Sequence, residues 1–185
     1  MSVTSGEQLV EKYLAAYKAY DLAAMDACTD PEFTFSDPAF PSLNCKYEPR
    51  SSWPIGHPNF VSVAKQAKGM FSMFVNNREK NKMELEYKDI KKGINDLTYT
   101  ATYTVRYIFT GRPVTNVIQS TFTISPTSNL LLSQVDAFPF YTWAKQALGL
   151  PGLLLGWTGY LQSQVQHNAG QSLEKYMKKA EATSS

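Results

Sequence analysis

The longest regular pattern in the chain is Leu97-Thr-Tyr-Thr-Ala-Thr-Tyr-Thr-Val-Arg-Tyr-Ile-Phe109. Apolar or aromatic side chains alternate here with threonines, and this period of two is typical of a β-strand with one buried face. Gly111-Arg-Pro113 interrupts the pattern, and a second strand is predicted from Val114 to Ile124. Together these segments predict a long β-hairpin at the centre of a sheet.

The segments on either side of this hairpin extend the sheet and supply helices. Met83–Tyr87 alternates in the same way, and Leu130–Phe138 follows a turn as a further strand. Apolar residues recur at three- and four-residue steps in 7–20 and again in 60–74, which predicts two amphipathic helices. We therefore expect an α+β fold in which N-terminal helices and a curved antiparallel sheet enclose a conical pocket.

The composition excludes several classes of protein. The chain has 185 residues, of which 43% are hydrophobic and 18% are charged, so it can bury a core. Its net charge of +2 lacks the basic excess of a nucleic-acid-binding domain, so no nucleic acid is expected as a partner. Two cysteines make no disulfide framework, and neither a metal-ligand spacing nor a glycine-rich phosphate loop is present, so we expect no cofactor and no metal.

The sequence also predicts location and domain organisation. Its first residues lack the basic and apolar regions of a secretory signal, so we expect a cytoplasmic protein. A spanning helix needs a long unbroken apolar run, whereas the run within 138–161 is short and is broken by Pro151, so no integral membrane segment is expected. We divide the chain into a domain at 1–138, a helical extension at 139–177 packed on that domain, and a disordered tail at 178–185.

Two segments invite a functional interpretation beyond the core. Residues 39–57 are rich in proline and form a long irregular loop, which is often functional or a lid. The extension is strongly apolar, so its large side chains must pack on the domain, on a dimer partner or on a membrane surface. Packing on the domain is the arrangement we expect, because Lys145 is the single basic residue of the apolar stretch 138–161 that could attract anionic lipid.

Two motifs carry a resemblance to a known family. Glu11-Lys-Tyr-Leu-Ala-Ala-Tyr-Lys-Ala-Tyr-Asp-Leu22 and Asp30-Pro-Glu-Phe-Thr-Phe-Ser-Asp-Pro38 resemble the opening of the nuclear transport factor 2-like superfamily. More narrowly, the chain resembles the ketosteroid isomerases and the SnoaL-type polyketide cyclases over most of the predicted domain. The resemblance implies a cone-shaped fold that serves both enzymes and non-catalytic proteins.

The same resemblance implies a catalytic set of Asp37, Tyr13 and Asp136. In the isomerases an aspartate at the position of Asp37 is the general base, and a tyrosine spaced as Tyr13 donates a hydrogen bond to the developing enolate oxygen. The cyclases place an acid/base aspartate near Asp136. From the residues alone, Asp37 is equally a turn residue, Tyr13 a core aromatic, and Asp136 a side chain that faces either side of its strand.

The predicted ligand pocket contains Gln119, Tyr99, Tyr103, Phe35 and His57. Gln119 is the nearest counterpart of the second hydrogen-bond donor in the isomerases, and the tyrosine face of the long strand is either pocket lining or core. These residues favour a cofactor-independent acid/base enzyme, or a binder, for a small apolar ring compound that bears a carbonyl. A non-catalytic domain for dimerisation or partner binding is the alternative.

The threonine face of the long strand predicts a homodimer. This face is flat and only moderately polar, and an antiparallel sheet of this kind leaves one face free to pack against a second copy. We expect light scattering at micromolar concentration to give twice the mass of one chain. A monomeric mass would contradict the prediction.

Overall fold

A computed structural model describes residues 6–44 and 66–184 of the chain. Six helices and six strands lie within these residues. In chain order they are α1 (Gly6–Lys18), α2 (Leu22–Asp26), β1 (Thr29–Ser36), β2 (Leu43–Asn44), α3 (Gln66–Asn76), β3 (Glu84–Lys92), β4 (Thr98–Phe109), β5 (Arg112–Ile124), β6 (Leu131–Ala137), α4 (Phe140–Leu148), α5 (Leu150–Leu155) and α6 (Gly159–Ser184).

The strands form one sheet in the order β2-β1-β6-β5-β4-β3. The central hairpin keeps one register from Thr98 opposite Thr123 to Phe109 opposite Arg112, as the alternation predicted. The sheet differs from the expected antiparallel one in a single pairing, because β1 runs parallel to β6. Parallel neighbours need a long crossover, and here the rest of the sheet and α3 lie between the two strands in sequence.

Helices α1 and α3 cover the inner face of this sheet. From Tyr99 to Val105 the odd-numbered residues of β4 are buried on that face, and Tyr107 and Phe109 are half-buried, while the threonines are half-buried or exposed. The outer face also exposes Val117 and Val135, at 51% and 49%. The α+β class and the one-sided helical layer are confirmed, and the predicted dimer would use the uncovered outer face.

Helix α1 forms as its apolar spacing predicts. It buries one stripe against the sheet, namely Leu9, Val10, Tyr13, Leu14, Ala16 and Tyr17. Glu7 lies in the first turn and Lys18 in the last, and each charge stabilises the helix by a favourable interaction with its dipole. The helix ends before Tyr20, which adopts a positive φ of 59°. Asp21 then caps α2 by accepting a hydrogen bond from the Ala24 amide, a role that aspartate commonly takes.

The second predicted amphipathic helix is described only in its C-terminal part. Within α3 the stripe continues through Ala67, Met70, Phe71 and Val75, which are buried. The N-terminal part of that prediction, at 60–65, lies outside the described residues, as does 45–57 of the predicted loop.

The C-terminal helices pack on two places. Helix α4 buries Trp143, Ala144 and Ala147 against Val114 of the hairpin. Helix α6 packs on α3, where Met177 lies beside Gly69 and the Tyr176 hydroxyl bonds Ser72. Because α6 runs on to Ser184, residues 178–184 are helical, whereas the sequence had predicted a disordered tail from 178. Among the described residues, no helix is long and apolar enough to cross a membrane.

Helix α5 does not pack as predicted. Its glycines face inward: a Cβ on Gly152 would lie 1.9 Å from the carbonyl oxygen of Ala144. Its large side chains face outward, so Leu150, Leu153, Leu154 and Leu155 are exposed instead of packing on the domain. Since the contact between α4 and α5 is made by backbone and glycine, only small residues fit on its inner side.

We predict that Gly152→Ala destabilises the protein by about 1–3 kcal/mol, because the new methyl group must push α5 away from α4. The matched control is Gly170→Ala within α6, where a Cβ meets no atom within 4 Å. That substitution should stabilise the protein by up to ~1 kcal/mol through helix propensity. Urea unfolding measures both changes, and equal stabilities of the two variants would contradict the packing described for α5.

Candidate functional site

A buried polar network lies at the centre of the inner face. Asp136 on β6 accepts a short hydrogen bond from the Tyr103 hydroxyl on β4. The Gln134 amide nitrogen donates to Asp136 Oδ1 at 3.0 Å, and the Gln134 oxygen accepts from the Tyr13 hydroxyl at 2.9 Å. Asp136 therefore faces inward, and α1, β4 and β6 are joined through polar groups within an aromatic core.

Burial determines the ionisation of Asp136. Loss of water raises the pKa of Asp136 to about 6, although hydrogen bonds from Tyr103 and Gln134 and the nearby Ser120 hydroxyl lower it. Ser120 lies directly opposite Asp136 in the register of β5 and β6. The Ser120 hydroxyl stabilises the charged form of Asp136. Among the described residues, however, no group lies in full hydrogen-bond geometry with its Oγ. The carboxyl group of Asp136 can therefore exchange a proton near neutral pH.

Asp37 lies half-buried directly after β1. Its Oδ1 accepts a hydrogen bond from the Ala39 amide at 2.7 Å and another from the Phe40 amide at 2.5 Å. These bonds fix the side chain in a turn. Burial raises the pKa of Asp37 to about 7, the two amide bonds oppose this, and the charge of Asp136 adds to it. The structure thus brings Asp37 and Asp136 close enough for one charge to act on the other.

The same charges act on two further tyrosines. Burial first, and then the charge of Asp136, raises the pKa of Tyr17 above its ordinary range. Burial and the charge of Asp37 raise the pKa of Tyr107 to about 12, against a hydrogen bond from Trp143 that lowers it. Both phenols therefore keep their protons at neutral pH and can act as hydrogen-bond donors.

Trp143 orients the Tyr107 hydroxyl. The indole Nε1–H of Trp143 donates to the Tyr107 oxygen at 2.7 Å. Because an indole N–H can only donate, the phenolic O–H of Tyr107 takes no part in that bond. In contrast, the O–H of Tyr13 is already donated to Gln134. Tyr107 is therefore better prepared than Tyr13 to donate to a bound ligand.

Gln119 was placed on the wrong face by the sequence analysis. On β5 the inward residues are the even-numbered ones, and Gln119 is exposed on the outer face. Ser120 occupies the inward position beside Asp136. A one-residue error in register reverses the face of a strand residue, and this accounts for the wrong prediction.

The other predicted pocket residues are dispersed. Phe35 is buried against Phe71 with ring centroids 5.3 Å apart, as a core contact. Tyr99 lies four residues before Tyr103 along β4, where its ring adjoins Gly6 and Ile124. His57 lies outside the described residues. Among the four predicted pocket residues that the structure describes, Tyr103 alone is placed against Asp136.

Sequence reasoning missed Gln134, Tyr17 and Trp143, and it included Tyr107 only as part of the tyrosine face of the long strand, which is either pocket lining or core. Gln134 shares its strand face with Asp136 two residues later, and this spacing is the signal that could have found it. Tyr17 lies one helical turn after Tyr13 on the same stripe, so the spacing that selected one also marks the other. No local pattern links Trp143 to Tyr107, because their contact spans 36 residues.

A pocket of about 330 Å³ lies between α1, α2, β1 and α3. Tyr13, Phe33 and Phe71 line its inner wall, and the Lys68–Asp26 ion pair of 2.7 Å lies at its polar side. Neither Asp37 nor Asp136 lines this pocket. Its link to the carboxylates is the hydrogen-bonded path from Tyr13 through Gln134 to Asp136.

The C-terminal helix α6 borders the site at Asp37. The side-chain amides of Gln162 and Gln166 donate to the carbonyl oxygen of Pro38 at 3.3 and 3.0 Å. Together with the bond from Trp143 to Tyr107, these contacts make the C-terminal helices part of the wall around the two carboxylates. Within residues 6–44 and 66–184 no cluster of histidine, cysteine, aspartate and glutamate could hold a metal ion.

Comparison with solved structures identifies the fold. A candidate polyketide cyclase from Xanthomonas campestris superposes with a TM-score of 0.54 at 13% identity, covering 80% of this chain and 99% of that one. An LEH-like epoxide hydrolase from M. tuberculosis gives 0.52 at 16% identity, covering 84% and 98%. An NTF2-like protein of unknown function from Cytophaga hutchinsonii gives 0.50 at 8% identity, covering 72% and 98%.

These likenesses show that the chain has the NTF2-like fold, which confirms the fold predicted from the two N-terminal motifs. No protein-family model matches the sequence. No curated protein matches it either.

We predict that the free energy of unfolding falls as the pH rises from about 4 to about 7. Because the pKa of Asp37 is about 7 and that of Asp136 about 6, above their ordinary value of 3.8, the folded state binds more protons than the unfolded state in this range. Each group then contributes a slope of up to about 1.4 kcal/mol per pH unit, and the loss is complete above the folded pKa. Urea unfolding across this range measures it.

The matched variant for this measurement is Asp37→Asn, whose amide oxygen can still accept from Ala39 and Phe40. It should unfold with a shallower pH dependence than the wild type. The same slope in both proteins would show that Asp37 does not carry a raised pKa.

Proposed function

We propose that the protein is a cofactor-independent acid/base enzyme of the isomerase or cyclase type that acts on a small apolar ring compound bearing a carbonyl. The observation that carries this proposal is the interacting pair Asp37 and Asp136, with pKa values of about 7 and about 6, beside tyrosines that stay protonated. Paired groups whose environments set different pKa values near neutral pH suit proton transfer.

Asp37 is the proton-transferring residue of this proposal. Both of its amide hydrogen bonds end on Oδ1, so Oδ2 is the oxygen available to a ligand. The carboxylate removes a proton from the carbon next to the substrate carbonyl, and the C–H electron pair moves into the enolate. The resulting acid returns the proton at another carbon in an isomerisation. In a cyclisation the enolate carbon attacks a second carbonyl of the substrate, and the acid protonates the alkoxide that forms.

Asp136 tunes this base. Its oxygens are held by Tyr103 and Gln134, so it is less free than Asp37 to reach a substrate. Once it has lost its proton, its charge raises the pKa of Asp37 and strengthens Asp37 as a base. Asp136 is therefore a positioning and electrostatic residue in this mechanism.

Tyr107 is the proposed donor to the enolate oxygen. Its O–H is not used in the bond from Trp143, and that bond to its oxygen makes the O–H a stronger donor. Tyr13, which the resemblance assigns to this role, donates instead to Gln134. We accordingly assign Tyr13 to holding the network and Tyr107 to the oxyanion.

The substrate class follows from the surroundings of the carboxylates. Aromatic side chains dominate the inner face, and Tyr17 packs edge-on to Phe71 with centroids 5.3 Å apart. Such walls favour a flat apolar ring, and the Tyr107 hydroxyl can donate to a carbonyl on it. Solved structures named as candidate polyketide cyclases share the fold, which is consistent with this class but at identities that concern the fold alone.

A non-catalytic role in dimerisation or partner binding remains the alternative, and the exposed Val117 and Val135 on the outer face of the sheet favour it. Exchange of the protons next to a ketone carbonyl with deuterium distinguishes the two functions, because only an acid/base enzyme accelerates it. A ring ketone such as 2-tetralone, dissolved in D₂O, loses its signals next to the carbonyl in the proton NMR spectrum when a base removes those protons.

We predict that the wild type accelerates this exchange and that Asp37→Asn slows it by roughly 10²- to 10⁴-fold, because an amide cannot accept the proton. Tyr107→Phe should slow it by about 10²-fold through loss of the oxyanion donor. Asp96→Asn, an exposed carboxylate paired with Lys92, is the control that should exchange like the wild type.

Ketone binding, followed by protein fluorescence, should change little in Asp37→Asn. If the wild type and Asp37→Asn exchange the protons at the same rate while binding the ketone equally, Asp37 is not the base. If the ketone binds and the wild type exchanges its protons no faster than buffer does, the protein is not an acid/base enzyme for this ketone, and a non-catalytic role is supported.

A further inference from the structure

Six large apolar side chains point into solvent at one end of the molecule. Leu150, Leu153, Leu154, Leu155, Trp157 and Tyr160, here called the α5 tip, are 71, 48, 65, 44, 74 and 69% exposed. Single exposed apolar residues are ordinary, but six within eleven positions form a surface that soluble domains normally cover. The α5 tip is therefore a surface for an interaction.

The outward direction of these side chains is built into the packing. Gly152 and Gly156 face α4, where added Cβ atoms would lie 1.9 Å from the Ala144 oxygen and 2.9 Å from the ring of Tyr141. With glycines required on the inner side, the leucines of α5 have no inward position to occupy. The α5 tip is thus a fixed projection of the fold.

Three side-chain donors in and beside the tip are paired with carbonyl oxygens of α5. The Trp157 indole donates to the Leu154 carbonyl at 3.1 Å, and the Tyr141 hydroxyl donates to the Leu153 carbonyl at 3.2 Å. The Thr158 hydroxyl donates to the Leu155 carbonyl at 2.6 Å. A protein interface usually offers about one hydrogen bond per 100–200 Å², whereas hydrocarbon requires that polar groups be satisfied internally. The internal pairing therefore favours lipid as the occupant.

The charge around the tip favours an anionic lipid surface. No acidic residue occurs between Asp136 and Glu174. Two cations flank the tip: Lys145 lies 4.6 Å from the ring centroid of Tyr141, and Arg112 lies against Gly149. Tryptophan and tyrosine also favour the headgroup level of a bilayer, where an apolar ring and a polar edge are both accommodated.

We propose that the α5 tip docks the protein reversibly on the surface of a bilayer that contains anionic lipid. The leucines and Trp157 enter the boundary between headgroups and acyl chains, and Lys145 and Arg112 meet the lipid phosphates. This inference stands apart from the proposed catalytic function, since it uses none of the residues assigned to proton transfer.

The test is flotation of the full-length protein with vesicles of phosphatidylcholine alone and of phosphatidylcholine mixed equally with phosphatidylglycerol. We expect binding to the mixed vesicles and weaker binding to the neutral ones. The double variant Leu154→Gln/Trp157→Gln should lower the affinity for mixed vesicles by roughly tenfold or more, because two buried apolar side chains are lost. Lys145→Gln should weaken binding to mixed vesicles by a few-fold, with little effect on neutral ones.

The matched control is Ile94→Gln/Leu97→Gln, which removes two exposed apolar side chains that lie next to Asp96 in the β3–β4 connection. It should bind vesicles like the wild type. Absence of binding to either vesicle overturns the proposal, as does equal binding by the tip variant. A dimer in light scattering that the tip variant dissociates, without vesicle binding, would overturn it in favour of a second copy as the occupant.

Discussion

The carboxyl group of Asp136 is the constraint on which the arrangement of the inner face depends. A buried carboxylate is tolerated only when neighbouring groups satisfy it. Tyr103 and Gln134 do so, and Gln134 in turn is held by Tyr13, so β4, β6 and α1 must keep one relative position. A shift of any of these elements by one residue would leave buried polar atoms unpaired at a cost of about 1–3 kcal/mol each.

The buried carboxyl group of Asp136 also affects the proposed proton transfer. Asp37 lies directly after a different strand, β1, and is fixed by its own turn, yet its pKa depends partly on the charge of Asp136. Trp143, which belongs to the C-terminal helices, fixes Tyr107 beside the same charges. Elements distant in sequence therefore meet at one site, and the C-terminal helices contribute to it as directly as the sheet does.

The fold was predictable because its signals are local and periodic. The alternation of Tyr99–Tyr107 with threonine fixes the two faces of β4, and the stripe from Leu9 to Tyr17 fixes the buried side of α1. The site was predictable only in part. Gln119 was placed inward because the resemblance made it the nearest counterpart of a donor, and the pattern of β5 could not correct this, since Val117 and Ile118 are adjacent apolar residues that do not say which face is buried. Contacts such as Trp143 with Tyr107 have no local signal at all.

Two segments reverse the usual order of apolar inside and polar outside. On β6, Gln134 and Asp136 are buried while Val135 between them is exposed, and on α5 glycines face inward while leucines face solvent. Each reversal lowers the stability that the same chain length could provide, since well-packed apolar residues often replace buried charges at no loss. Such departures from consistent patterning concentrate at functional sites. The reversal on β6 coincides with the proposed acid/base site, and the reversal on α5 coincides with the proposed membrane surface. In both places the fold gives up stability where a function is proposed.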